Sequence, residues 1–93
     1  MNRSVLIVDD DAFIVEALSE LLRDEGLHVR TATNGRLGLE ALERECVDVI
    51  LLDLMMPVMD GWEFARQRRQ RELCSTARLV VLTAAADPAT KAF

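Results

Sequence analysis

The chain has 93 residues, 51% of them hydrophobic and 29% charged, a composition that excludes a disordered segment and bounds the chain at one small domain. Its net charge of −5 argues against a nucleic-acid surface, because neutralising phosphates needs clustered Lys and Arg. The opening MNRSVLIVDDD holds an apolar run of only four residues before three acids, which fits neither a signal peptide nor a membrane span and predicts a cytoplasmic protein without membrane contact.

Val5 to Val8 is short, apolar and β-branched, the pattern of a strand covered on both faces in a parallel sheet. From Ala12 to Glu25, Ile14, Ala17, Leu18, Leu21 and Leu22 recur at helical spacing and predict an amphipathic helix with those residues inward, ended by Gly26. Leu27 to Ala32 alternates as a half-exposed edge strand does, with His28, the only histidine, as a surface residue. Asn34 and Gly35 read as a turn, and Leu37 to Arg44 as a second helix with Ala41 and Leu42 inward. Val47 to Leu52 is a second buried apolar run that terminates at Asp53.

The loop LMMPVMDG follows, with Pro57 and an Asp60-Gly61 pair that reads as a turn rather than as a ligand. A third helix is predicted from Trp62 to Gln70, and a third apolar run from Leu79 to Leu82, ending at Thr83. Asp87 and Pro88 suit the cap and first turn of a fourth helix, of which the sequence to Phe93 holds about one turn. This βαβαβαβ alternation implies an α/β fold with a parallel sheet, right-handed crossovers and helices on both faces. Arg66, Arg68, Arg69 and Arg71 read as a solvated helix face. Cys46 and Cys74 stand far apart without a CxxC pair and read as reduced, partly buried thiols.

In an open parallel sheet, ligands gather at the carboxyl ends of the strands. Here Asp9 and Asp10 follow the first strand, Asp53 the third and Thr83 the fourth. Adjacent strands lie about 4.8 Å apart, so carboxylates at neighbouring strand ends converge and repel. A divalent cation relieves that repulsion, and Mg²⁺ suits a site of one or two carboxylates, waters and a phosphate oxygen. Phosphoryl transfer needs mainly positioning and charge neutralisation, and a carboxylate nucleophile yields an aspartyl phosphate. Taken singly, a strand-terminal acid such as Asp10 or Asp11 reads equally well as a helix cap.

VLIVDDD, ILLDLMMPVMDG and VVLTA resemble, in order and spacing, the signature segments of bacterial two-component response-regulator receiver domains. The resemblance covers the chain from Val5 onward and implies a flavodoxin-like, CheY-like doubly wound sheet with strand order 2-1-3-4-5. It makes Asp53 the acceptor from the phosphohistidine of a sensor histidine kinase or phosphotransfer protein. It gives Asp9, Asp10, Asp53 and the backbone carbonyl of Met55 to Mg²⁺. Thr83 would hydrogen-bond the phosphoryl group, Ala84 would leave access to it, and Pro57 and Gly61 would shape the loop. Such a domain is a self-phosphorylating signalling module rather than an enzyme of turnover, and it acts on an effector domain or partner protein.

The sequence departs from the resemblance after the fourth strand. Receivers place a lysine after a fifth strand and an aromatic residue within it, whereas the only lysine here is Lys91, eight residues beyond Thr83. The run LVVL is also too apolar for a sheet edge, where it would be an exposed pairing template. Residues 1–93 therefore read as one receiver domain, incomplete before its fifth strand and last helix, with dimerisation or segment exchange expected through the fourth strand. Arg68 is a further departure, standing where the third helix is expected to turn an apolar residue inward. Two other functions compete: a phosphorylation-independent interaction module, and a Mg²⁺-dependent phosphohydrolase. The latter needs an acid two residues after the acceptor, where this chain has Met55.

Overall fold

The structure, a computed structural model, describes residues 3–56 and 58–82. Its elements run β1 (Ser4–Val8), α1 (Ala12–Asp24), β2 (His28–Ala32), α2 (Gly35–Arg44), β3 (Val49–Asp53), α3 (Gly61–Gln70) and β4 (Arg78–Leu82). The four strands form one parallel sheet in the order β2-β1-β3-β4. Thr83, Ala84, Asp87, Pro88, Lys91, Phe93 and, within the loop, Pro57 lie outside the described residues.

Both faces of β1 are buried, as its unbroken apolar run requires. Leu6 and Val8 join Ile50 and Leu52 of β3, Leu39 and Leu42 of α2 and Phe64 of α3 in the main core. Ile7 pairs with Thr31 across the sheet, and Thr31 lines a groove with Val15 and Ser19, which places α1 over the other face.

That helix is correctly bounded by the sequence but differently rotated. Asp11 caps it, accepting from the amides of Phe13 at 3.0 Å and Ile14 at 3.3 Å. At its far end Gly26 takes a φ of +86°. This lets the amides of Gly26 and Leu27 reach the carbonyls of Arg23 and Leu22. The predicted inward stripe, however, leaves Ile14 43% and Leu21 57% exposed. Ala17 is exposed as well, while Leu18 and Leu22 are half-buried. The buried position is Ser19, because α1 turns its Val15–Ser19 side to the sheet, and no described element covers the opposite side.

Three further expectations are corrected. Asn34 caps α2 through the Leu37 amide rather than forming a turn, and Gly35 is the first helical residue. Arg68, read as part of a solvated face, lies half-buried and donates to the carbonyls of Cys74 at 2.9 Å and Ala77 at 2.7 Å. A guanidinium thus replaces the apolar residue expected there and satisfies the carbonyls of the turn between α3 and β4. Its neighbours Arg66 and Arg71 do face solvent, paired with Glu63 and Glu43.

Cys46 and Cys74 are joined in a disulfide, not free thiols. Sequence distance misled here, because the segment before β3 and the turn before β4 arrive at the same end of adjacent strands, with Cα atoms 5.4 Å apart.

β4 follows the sequence reading as an apolar strand paired only with β3 among the described residues, with Val80 47% and Val81 42% exposed. α2 packs closely against the core at Gly38, where an added Cβ would stand 2.9 Å from Phe64 Cε2 and 3.1 Å from Val8 Cγ2. Gly38→Ala is expected to cost about 1–3 kcal/mol by overpacking. In denaturant titrations the penalty should shrink in a Phe64→Leu background, and simple additivity would contradict the contact.

Candidate functional site

The register of β1 against β3 builds the site. Val8 stands opposite Leu52, so the next residues along the two strands, Asp9 and Asp53, emerge side by side at the carboxyl end. Asp9 is 2% and Asp53 6% exposed, while Asp10 is open to solvent. One carboxylate oxygen from each of the three lies within 4.8 Å of the others.

Backbone donors hold the two buried acids. The Asp9 amide donates to the carbonyl of Ala32 at 3.0 Å, and Asp9 Oδ1 accepts from the Asp11 amide at 2.8 Å. Asp53 Oδ1 accepts from the Met55 amide at 3.1 Å. These bonds fix the carboxylates but do not neutralise them. Burial raises the pKa of Asp9 above the ordinary aspartate range, opposed by the Asp11 amide and reinforced by the charges of Asp53 and Asp10.

The loop after Asp53 is clamped by two glycines. The Gly61 amide donates to the Leu54 carbonyl at 3.1 Å, and a Cβ on Gly61 would stand 2.4 Å from the Asp53 carbonyl oxygen. Gly35, at the start of α2, donates to the carbonyl of Met59 at 3.0 Å, and a Cβ there would meet that oxygen at 2.7 Å. Within the loop Leu54 and Met56 are buried, Met55 is 63% exposed, and Val58 is held at φ +71°. A β-branched residue in that region is strained.

The structure therefore brings Asp9, Asp10 and Asp53 together, with Met55 beside them and Gly61 under the loop. Asp60 is not a simple turn residue: it caps α3, accepting from the Glu63 amide at 2.9 Å. Sequence reading missed the clamp by Gly35, which the DG and NG pairs hinted at only as turns. It also missed Val58, for which no residue-type signal exists.

A family model of the response regulator receiver domain matches residues 5–93. The chain belongs to that family. Among curated relatives, it is 42% identical over 73 residues to the alkaline phosphatase synthesis transcriptional regulatory protein PhoP of Bacillus subtilis, covering 78% of this chain and 30% of that protein. It is 36% identical over 84 residues to sporulation initiation phosphotransferase F of the same organism, covering 90% of this chain and 66% of that one. Among solved structures, the receiver domain of sensor histidine kinase PA1611 from Pseudomonas aeruginosa superposes with a TM-score of 0.88. It is 27% identical, spans 99% of this chain and 75% of that one, and carries a magnesium ion coordinated in its active site cleft. The chain spans about a third of the length of most of the curated relatives it matches.

The receiver family works in two-component signalling and binds Mg²⁺ at an acidic pocket, and this chain carries the corresponding aspartate cluster. Three carboxylate oxygens at this spacing are hard donors of the kind Mg²⁺ takes, so the residues fit the ion. Among the described residues, no helix is long and apolar enough to cross a membrane.

The raised pKa of Asp9 carries a stability cost with a definite sign. The folded chain holds its proton more tightly than the unfolded chain, so the penalty is full above the folded pKa and fades as pH falls to the ordinary value of 3.8. In chelator, Asp9→Asn should therefore raise the thermal midpoint at neutral pH, with the advantage vanishing below about pH 3.8. An Asn variant less stable than wild type in chelator at pH 7 would refute the assigned repulsion.

Proposed function

We propose that this receiver accepts a phosphoryl group on Asp53 from the phosphohistidine of a sensor histidine kinase or phosphotransfer protein, in a Mg²⁺-dependent step. The observation that carries the reading is the placement of a buried Asp53 at the carboxyl end of β3, with oxygens of Asp9 and Asp10 within 4.8 Å.

In this reading the Met55 amide orients Asp53 through Oδ1, and the other carboxylate oxygen attacks phosphorus. The bond to the histidine nitrogen breaks, the imidazole leaves, and an aspartyl phosphate remains. Asp9, Asp10 and Asp53 would hold the ion, with the Met55 carbonyl as a further ligand. When bound, Mg²⁺ neutralises charge between the carboxylates and the incoming phosphoryl oxygens. Thr83 would donate a hydrogen bond to the phosphoryl group and Ala84 would leave it accessible. Support for that assignment comes from the ladder, in which Leu82, the residue before Thr83, stands opposite Asp53. The resulting shift changes the surface offered to an effector domain or partner protein in the cytoplasm.

Incubation with acetyl phosphate and Mg²⁺ should add one phosphate by intact mass, and Asp53→Asn should abolish the gain. Chelation or Asp9→Asn should slow it by at least about tenfold, the low end of what disturbing even an outer partner of a metal ligand costs. Phosphate incorporation that survives Asp53→Asn would overturn the assignment. Partner binding that the same substitution leaves unchanged would favour a phosphorylation-independent module instead.

A further inference from the structure

The Cys46–Cys74 disulfide lies at the end of the sheet opposite the acidic site: β3 begins at Val49, three residues after Cys46, and ends at Asp53. It ties the segment between α2 and β3 to the turn between α3 and β4. The two cysteines are unequally placed. Cys46 is exposed, whereas Cys74 is half-buried and packs with Leu73 against the main core.

The protein also grips Cys74 independently of the bond. Arg68 holds its carbonyl at 2.9 Å and that of Ala77 at 2.7 Å. Cys74 and Glu72 both sit at φ +51°, a region L-residues occupy only when their surroundings demand it. Cys74 Sγ stands 3.5 Å from the carbonyl oxygen of Leu42, in the last turns of α2. Released as a thiol, it has an acceptor waiting. Cys46 has no such hold among the described residues' hydrogen bonds and is the exposed residue of the pair.

We propose that this disulfide is a thiol-exchange site, opened at Cys46 by a small thiol or a dithiol reductant. A thiolate attacks Cys46 Sγ, the Cys46–Cys74 bond breaks, and Cys74 leaves as a thiolate that takes a proton and donates to Leu42. The second thiol of a dithiol then attacks the mixed disulfide at its own sulfur. Cys46 is released as a thiolate, the reductant becomes a disulfide, and two electrons have passed to the protein. Access decides which sulfur is attacked: Cys46 is the exposed residue of the pair, so Cys74 is the sulfur that leaves, and only after protonation can it donate to Leu42. The reduced chain keeps its α3–β4 turn on Arg68 but loses the cross-link that closes 28 residues of sequence.

The first measurement uses the intact oxidised chain without substitution. Limiting reduced glutathione, acid quenching and peptide mapping should place the mixed disulfide on Cys46 over Cys74 by about tenfold or more. Dithiothreitol under native conditions should then free both thiols for alkylation and lower the thermal midpoint by about 15 °C, the effect of losing a loop closure of this length. As a second measurement, glutathione disulfide should modify Cys46 in Cys74→Ser faster than Cys74 in Cys46→Ser. An adduct mainly on Cys74, thiols already alkylated before reduction, or a bond that opens only in denaturant would each overturn the proposal.

Discussion

Three carboxylates meet at one end of two adjacent central strands, and among the described residues no cationic side chain pairs with them. Asp9 and Asp53 are buried, each accepts a backbone amide, and one oxygen from each lies within 4.8 Å of an Asp10 oxygen. Amide bonds orient a carboxylate but leave its charge in place, and burial makes that charge more costly. The remaining structure can be understood as what holds this unfavourable arrangement together. Strands apolar on both faces anchor its floor, and the loop from Leu54 to Asp60 walls it through close contacts that only Gly35 and Gly61 allow.

The fold and the acidic trio were legible because both depend on short-range patterns. Val5–Val8 and Val49–Leu52 are unbroken apolar runs that end in acids, and the parallel register turns that sequence rule into proximity. Asp9 and Asp10 differ in a way the sequence does not show. Alternation along the strand sends Asp9 inward to the Asp11 amide, while Asp10 stays in solvent and Asp11 takes the capping role. Asp60, read as a turn residue, is likewise a cap; the two roles share one chemistry, a short side chain accepting a nearby amide.

What the sequence concealed depends on contacts between distant segments. Cys46 and Cys74 meet because two connections arrive at the same end of neighbouring strands. Arg68 looked misplaced on an apolar face until the carbonyls of Cys74 and Ala77 came into view. Arg30 does the same for α2, donating to the carbonyls of Ala41 and Glu45 from the neighbouring strand. The face of α1 was misjudged for another reason. Periodicity reports an apolar stripe but not which part of a wide stripe meets the sheet, and Ser19 rather than Leu21 fills the buried position.

If the trio is a strained anionic cradle, a cation that binds only the folded chain must stabilise it by mass action. Thermal unfolding followed across a Mg²⁺ titration at constant ionic strength measures this most directly. The midpoint of the wild type should rise with Mg²⁺, while Asp9→Asn and Asp53→Asn stay flat over the same range. An equal rise in all three proteins would contradict the account, because the ion would then be acting elsewhere than on these carboxylates.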